Sequence, residues 1–280
     1  MKTEGRKKTG MAQLVIACMV VVVVLSAGTA FAEEKIRIAG SGSMITLMND
    51  LAKAYMAENK NVRVDINQKS IESTGGVQSA AAGRVEIGLA SRALQNDEKA
   101  LVHATEISRV ATVIGVNKSV TVKEITSEQL CRIYAGAAKN WKDLGGSADS
   151  IIPLTRPDRD ATKESVRRGI ACFRDLKEPP SVIIVPTAPE MTKILSDRPG
   201  SIGFTDAIAI EDSAGAIIAL TLDGVAPTAD NVRNGRYKMI KGNFLVTKGK
   251  PEGEVKAFID FIKGPKGAKI IEANKAVPVT

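Results

Sequence analysis

Three stretches bring together residue types that can hold an anion: Gly40-Ser41-Gly42-Ser43-Met44, Ser73-Thr74-Gly75-Gly76, and Arg156 to Thr162. Each follows a β-branched run and opens a stretch of helical periodicity. The first turn of a helix has unpaired N–H groups and a partial positive charge, and glycine lets the backbone approach a guest closely. A hydroxyl at such a junction either satisfies the helix's own amides or faces a ligand, so each turn taken singly reads first as an ordinary N-cap. Three of them in alternating strand–helix units carry more weight, because all would lie at the carboxyl ends of strands, where open sheets place ligands. Arg156 stands between an apolar strand and a helix, where a guanidinium offers a planar fork to two oxygens of one anion. Arg92, after Ser91, closes an earlier strand in a comparable place. A salt-bridged arginine is the competing reading for both.

Other chemistries find little support. The glycine-rich turn at Gly40 continues neither to Gly-Lys-Ser/Thr nor to a GxGxxG pattern, which argues against a nucleotide loop. The one histidine, His103, has no Cys or His cluster around it, so no zinc site is indicated, and it is expected at the surface. Neither G-x-S-x-G nor H-E-x-x-H occurs, and the best remaining nucleophile, Thr162 beside Asp160, makes a weak case for an enzyme. Charges are scattered and aromatics few, at 4% of residues, so nucleic acid is not an expected partner.

The elements that must position these turns alternate short β-branched runs with helices, as a mostly parallel, helix-covered sheet requires. The fold class is α/β. Strands are expected at Lys35–Ala39, Val62–Asn67, Glu86–Ala90 and Val110–Val116. Helices are expected from Ile45 through Glu58 and over Gly75–Ala82. Further on, helices over Ser127–Tyr134, Ala161–Phe173 and Pro189–Leu195 alternate with strands Ile151–Leu154, Val182–Val185 and Ser201–Phe204. A return strand, Tyr237–Thr247, precedes helices Glu252–Ile262 and Lys266–Ala273. Lone Trp141 is better read as a core anchor than as a ligand platform.

The N-terminus has Lys2, Arg6, Lys7 and Lys8 before an apolar run from Leu14 to Leu25 and small residues ending at Ala32, the pattern of a cleaved secretory signal peptide over residues 1–32. The run is shorter than the roughly 20 residues a membrane span needs. No cysteine follows the small residues, so no lipid anchor is expected, and the protein should be free in the periplasm. The leader takes four of the 39 basic residues and one of the 31 acids, which leaves the remainder at +5. About 250 remaining residues suit two lobes, each with its own core. Cys131 and Cys172, both expected in helices of the same lobe, can form a disulfide in an oxidising compartment or remain as buried thiols.

The order of these motifs resembles that of the phosphate-binding proteins of bacterial ABC phosphate transporters. The likeness rests on Gly40 to Met44, on Ser73 to Val77 running into Val85 to Arg92, on Leu130 to Gly146, on Gly200 to Phe204 and on Val255 to Ile262. It implies a type II periplasmic-binding-protein fold, with a ligand cleft between lobes and two hinge crossovers. The implied lobes are residues 33–115 plus 240–280 and residues 116–239. Phosphate would be held by Ser43, the amide of Met44, Ser73 with its neighbour Thr74, and a second-lobe loop of Arg156, Asp158, Asp160, Ala161 and Thr162. In this scheme Arg156 forks the anion, Asp158 orients Arg156, and Thr162 with its amide caps an oxygen. An ABC transporter permease is the implied partner, the chain itself a likewise implied monomer, with no cofactor.

Two departures stand out. The family's acid after the third strand is Ser91 here, followed by Arg92. The serine and glycine of the second-lobe loop are Asp160 and Ala161. Asp160 would then accept a hydrogen bond from the P–OH of a protonated phosphate and so reject sulfate, or turn outward as a helix N-terminal acid, or signal a different ligand. Another oxyanion, an organic acid, or a sensor role remains the alternative.

Overall fold

The computed structural model describes residues 33–279. The expected leader, residues 1–32, lies outside the described residues. From the start, β1 (Glu34–Gly40) leads through a 3-10 turn, Gly42–Met44, into α1 (Ile45–Glu58). Then come β2 (Val62–Ile66), α2 (Glu72–Ala81), β3 (Ile87–Ala90), the long β4 (His103–Asn117), β5 (Glu124–Ile125) and α3 (Ser127–Tyr134). A 3-10 turn at Trp141–Leu144 precedes β6 (Ile152–Thr155), α4 (Ala161–Gly169) and a further 3-10 turn, Ala171–Phe173. These are followed by β7 (Ile183–Ile184), α5 (Ala188–Asp197), β8 (Ser201–Asp206), α6 (Ala207–Asp212), β9 (Ile217–Ala219) and β10 (Thr221–Leu222). The chain ends with α7 (Ala229–Arg233), β11 (Ile240–Thr247), α8 (Gly253–Lys263), α9 (Pro265–Ala273) and β12 (Val277–Pro278).

One mixed sheet runs in the order β2-β1-β3-β11-β4-β8-β6-β7, with β9 and β12 also paired to β4. β4 is the spine that joins its two parts. Residues from His103 to Ala111 pair antiparallel with β11, and residues from Thr112 to Val116 pair antiparallel with β8. The change of partner divides the hydrophobic core. Ile36, Ile38, Leu47, Leu51, Leu245 and Phe258 gather on one side of it, and Ile114, Tyr134, Trp141, Val166 and Phe204 on the other.

Local sequence explains most elements. Leu47, Met48, Leu51, Ala52 and Tyr55 are the buried residues of α1, the i, i+4, i+8 stripe of a helix packed on a sheet. The expected strand Val110–Val116 is only the apolar end of β4, because its first residues are polar on one face and form no continuous apolar run. The helix expected over Ala161–Phe173 breaks at Ile170, whose extended backbone (φ −125°, ψ 113°) separates α4 from the next 3-10 turn. Trp141 is fully buried and donates its indole N–H to the Gly200 carbonyl at 3.1 Å, the core role expected of it. Cys131 of α3 and Cys172 are joined by a disulfide, with Cα atoms 6.3 Å apart.

The turn at Ser73-Thr74-Gly75-Gly76 differs from expectation. It is the first part of α2 rather than a loop before a helix, and Gly76 serves packing. A Cβ on Gly76 would lie 2.5 Å from the Leu89 carbonyl oxygen and 2.9 Å from the Cα of Gly40, and a Cβ on Gly88 would lie 2.3 Å from the Gly76 oxygen. Three glycines therefore let α2 lie directly on β1 and β3, which sets the position of Ser73 and Thr74.

Candidate functional site

The strand ends deliver their polar residues to one place. β1 ends at Gly40, whose φ of 152° and 2.3 Å separation between a virtual Cβ and the Leu89 oxygen admit no side chain. The chain then turns so that the hydroxyls of Ser41, Ser43 and Ser91, the last from the end of β3, form a triangle with edges of 2.8 to 3.1 Å. Ser73 accepts a hydrogen bond from the Ser91 amide at 3.1 Å, and Thr74 accepts one from Arg92 at 3.1 Å. A hydroxyl that accepts keeps its own hydrogen to donate elsewhere. Met44 offers less than expected. Its amide donates to the Ser41 carbonyl at 3.1 Å, and its side chain is buried in the core.

Across the cleft, β6 ends in Thr155 and leads directly to Arg156, whose side chain is 1% exposed. One Nη donates to the Val185 carbonyl at 2.9 Å; the other donates to Asp160 at 2.8 Å and to Glu72 at 3.2 Å. Its Nε is buried and has no partner among the described residues. A buried donor without an acceptor is costly, and Arg156 lines an adjoining cavity. That cavity, about 230 Å³, is lined by Ser43 from one half and by Arg156, Thr162, Thr205 and Asp206 from the other. A second cavity of about 150 Å³ is bordered by Glu72, Ser73, Thr74, Asp160 and Ala161. Of the candidates, Ser43, Arg156 and Thr162 line the first hollow and Ser73, Thr74, Asp160 and Ala161 the second; Met44, Ser91, Arg92 and Asp158 line neither.

Four expected roles change. Asp158 does not orient Arg156; it is 78% exposed and pairs with Arg167 at 2.8 Å and Lys163 at 3.3 Å. Asp160 orients Arg156 instead, and it does not turn outward. Its side chain is 7% exposed as the N-cap of α4, one oxygen accepting from the Thr162 and Lys163 amides at 2.9 and 3.1 Å and the other from Arg156. The Thr162 amide is therefore engaged, and the Thr162 hydroxyl is what remains for a ligand. Arg92 presents no free fork, since both its terminal nitrogens donate to Glu98 at 2.7 Å. Burial pushes the Glu98 carboxyl up, but hydrogen bonds from Arg92 and the Gln95 amide, with the charge of Arg92, outweigh it and hold the group below its usual value.

Sequence reasoning missed Lys241, Asp206 and Glu72. Asp206 carried a readable signal, an acid at a strand-to-helix junction, and it does accept from the Ala209 amide at 3.0 Å. Lys241 looked like one charge within a return strand. Among the described residues, no group of His, Cys, Asp and Glu is arranged to hold a metal ion.

The sequence matches the PBP superfamily domain over residues 25–266. It is 32% identical over 254 residues to the phosphate-binding protein PstS of Bacillus subtilis (strain 168), covering 89% of this chain and 82% of that protein. A Clostridium perfringens substrate-binding protein crystallised with bound phosphate superposes with a TM-score of 0.80 at 28% identity, over 88% of this chain and 100% of that one. An ABC-type phosphate transport receptor from Vibrio cholerae shares the fold with a TM-score of 0.64 at 24% identity, over 86% of this chain and 99% of that one. The architecture is that of a type II periplasmic binding protein, a two-lobed α/β fold with its ligand cleft between the lobes. Within that class the chain belongs to the family of PstS phosphate-binding proteins.

Proposed function

We propose that this protein captures inorganic phosphate between its two halves and delivers it to the permease of an ABC transporter, as a secreted, monomeric binding protein that performs no covalent chemistry. The closing bodies are residues 33–115 with 240–280, and residues 116–239. The observation that carries the reading is the buried Arg156 guanidinium, with its unpartnered Nε beside a cavity that receives Ser43 from one body and Thr162 from the other. Hydrogen bonds to a charged group contribute roughly 1.5–3 kcal/mol each, and micromolar affinity needs about 8 kcal/mol. The Arg156 donors and the hydroxyls of Ser43, Ser73, Thr74 and Thr162 are enough for that after ordering costs. The signal to the permease is the closed arrangement itself, favoured by the anion because only there do both bodies reach it.

Calorimetry of the protein, unfolded and refolded to strip retained ligand, tests this against phosphate, arsenate, sulfate and molybdate. The expected result is phosphate binding in the micromolar range or tighter; heat with another anion but none with phosphate overturns the specificity. Arg156→Ala should weaken phosphate binding at least tenfold, and an unchanged isotherm removes that residue from the site. Turnover of a chromogenic phosphoester beyond one equivalent would replace capture by catalysis.

A further inference from the structure

Lys241 is a buried cation directly beneath the cavity, and the register of the sheet explains why it is there. It lies opposite Val110 on β4, and Asp206 lies opposite Thr112. Residues two apart on a strand share a face, as do directly opposed residues of antiparallel neighbours, so Lys241 and Asp206 stand on the same face on either side of the spine. The Lys241 ammonium donates to Asp206 at 3.1 Å, to the Thr162 hydroxyl at 3.3 Å and to the Ser43 hydroxyl at 3.5 Å. Those three acceptors all line the 230 Å³ cavity, and the Lys241 and Asp206 side chains are 1% and 4% exposed.

We propose that Lys241 is a positioning residue for the bound anion, holding in place one hydroxyl oxygen from each half. This deepens the phosphate-binding reading above and rests on it. An ammonium has three donors and no acceptor. Ser43 and Thr162 can only accept from it; Thr162 keeps its own hydrogen for the cavity, while that of Ser43 has the cavity, Ser41 and Ser91 as alternative acceptors. The Ser41, Ser43 and Ser91 hydroxyls can also satisfy one another around their triangle, so an anion in the cavity competes with that ring for the Ser43 hydrogen, and Lys241 holds the Ser43 oxygen where the anion can reach it. Lys241 also balances Asp206, whose carboxylate lines the same cavity and would otherwise repel an anion there. A single cation thus anchors a hydroxyl from each half and neutralises the acid between them.

Lys241→Met alone leaves Asp206 buried and uncompensated, which threatens folding. The informative variant is therefore the neutral pair Lys241→Met with Asp206→Asn. Its anion-free melting temperature is expected to stay close to that of the unaltered protein, while phosphate binding by calorimetry weakens at least tenfold. In that background, Ser43→Ala should cost markedly less affinity than it does in the unaltered protein, a non-additivity that a merely structural lysine would not produce. Undiminished phosphate binding by the pair variant, or a full and additive cost of Ser43→Ala, would overturn the role of Lys241 and leave the phosphate reading standing. If the unaltered protein gives no heat with phosphate, the phosphate reading fails first and this inference with it.

Discussion

Asp160 occupies the position at which an anion would meet the first turn of α4, taking two backbone amides and one Arg156 nitrogen. An internal carboxylate there keeps the arginine in place, yet it also places negative charge beside the guest. The oxygen bonded to Arg156 retains a lone pair that can accept from the P–OH of a protonated phosphate, whereas sulfate has no such hydrogen to give near neutral pH. Asp160→Ser should therefore raise sulfate affinity relative to phosphate, measured by competition calorimetry. An unmoved preference ratio would assign Asp160 to capping alone. At this scale the sequence pointed to Ser43, Arg156 and Thr162, which line one cavity, but not to Asp206, Glu72 or Lys241, nor to the division of labour. Asp158 and Asp160 lie two apart in one loop, and only the path of the backbone decides which of them turns inward to Arg156.

The glycines of β1, α2 and β3 act at the level of elements. Gly88→Ala would place a methyl 2.3 Å from the Gly76 carbonyl, a backbone atom that cannot move aside without shifting α2. Overpacking of this kind costs about 1–3 kcal/mol. A melting temperature lower by several degrees is expected, together with weaker phosphate binding, because α2 carries Ser73 and Thr74; unchanged melting would show that the helix gives way freely. Most elements were legible. The stripe of α1 followed directly from periodicity, and the bounds expected for α3 agree with the structure, where a Thr126–Gln129 capping box starts the helix. Short pieces such as α6, β9 and α7 were not legible, since three to six residues carry too little periodicity. Lys241 was hidden for another reason: its neighbours are fixed by pairing across β4, and register between strands some 130 residues apart is not written in either strand.

For the whole molecule, the two cores are joined by β4 and by the return through β11, while the described disulfide lies in one body only. Cys131 and Cys172 close a loop of 41 residues by sequence separation, for which chain entropy gives a stabilisation of about 4 kcal/mol. Reductant should therefore lower the melting of the body spanning 116–239 and leave the other nearly unchanged, as followed by calorimetric scanning. Equal shifts in both would mean that the two unfold as a unit. The two-lobed plan was readable from the alternation of elements and from the length of the chain. The site of the partner change along β4, between Ala111 and Thr112, was not, because the strand runs on without a break in burial from Val110 to Asn117.

Trp141, sealed against the Gly200 carbonyl, is the only indole in the sequence. Ultraviolet emission excited at long wavelength is consequently an asymmetric probe: it sees denaturation of the body that contains the disulfide and is blind to the other. Comparing that emission with circular dichroism, to which helices of both bodies contribute, reads out in an unlabelled sample how far melting of one body drags the other through their shared strand.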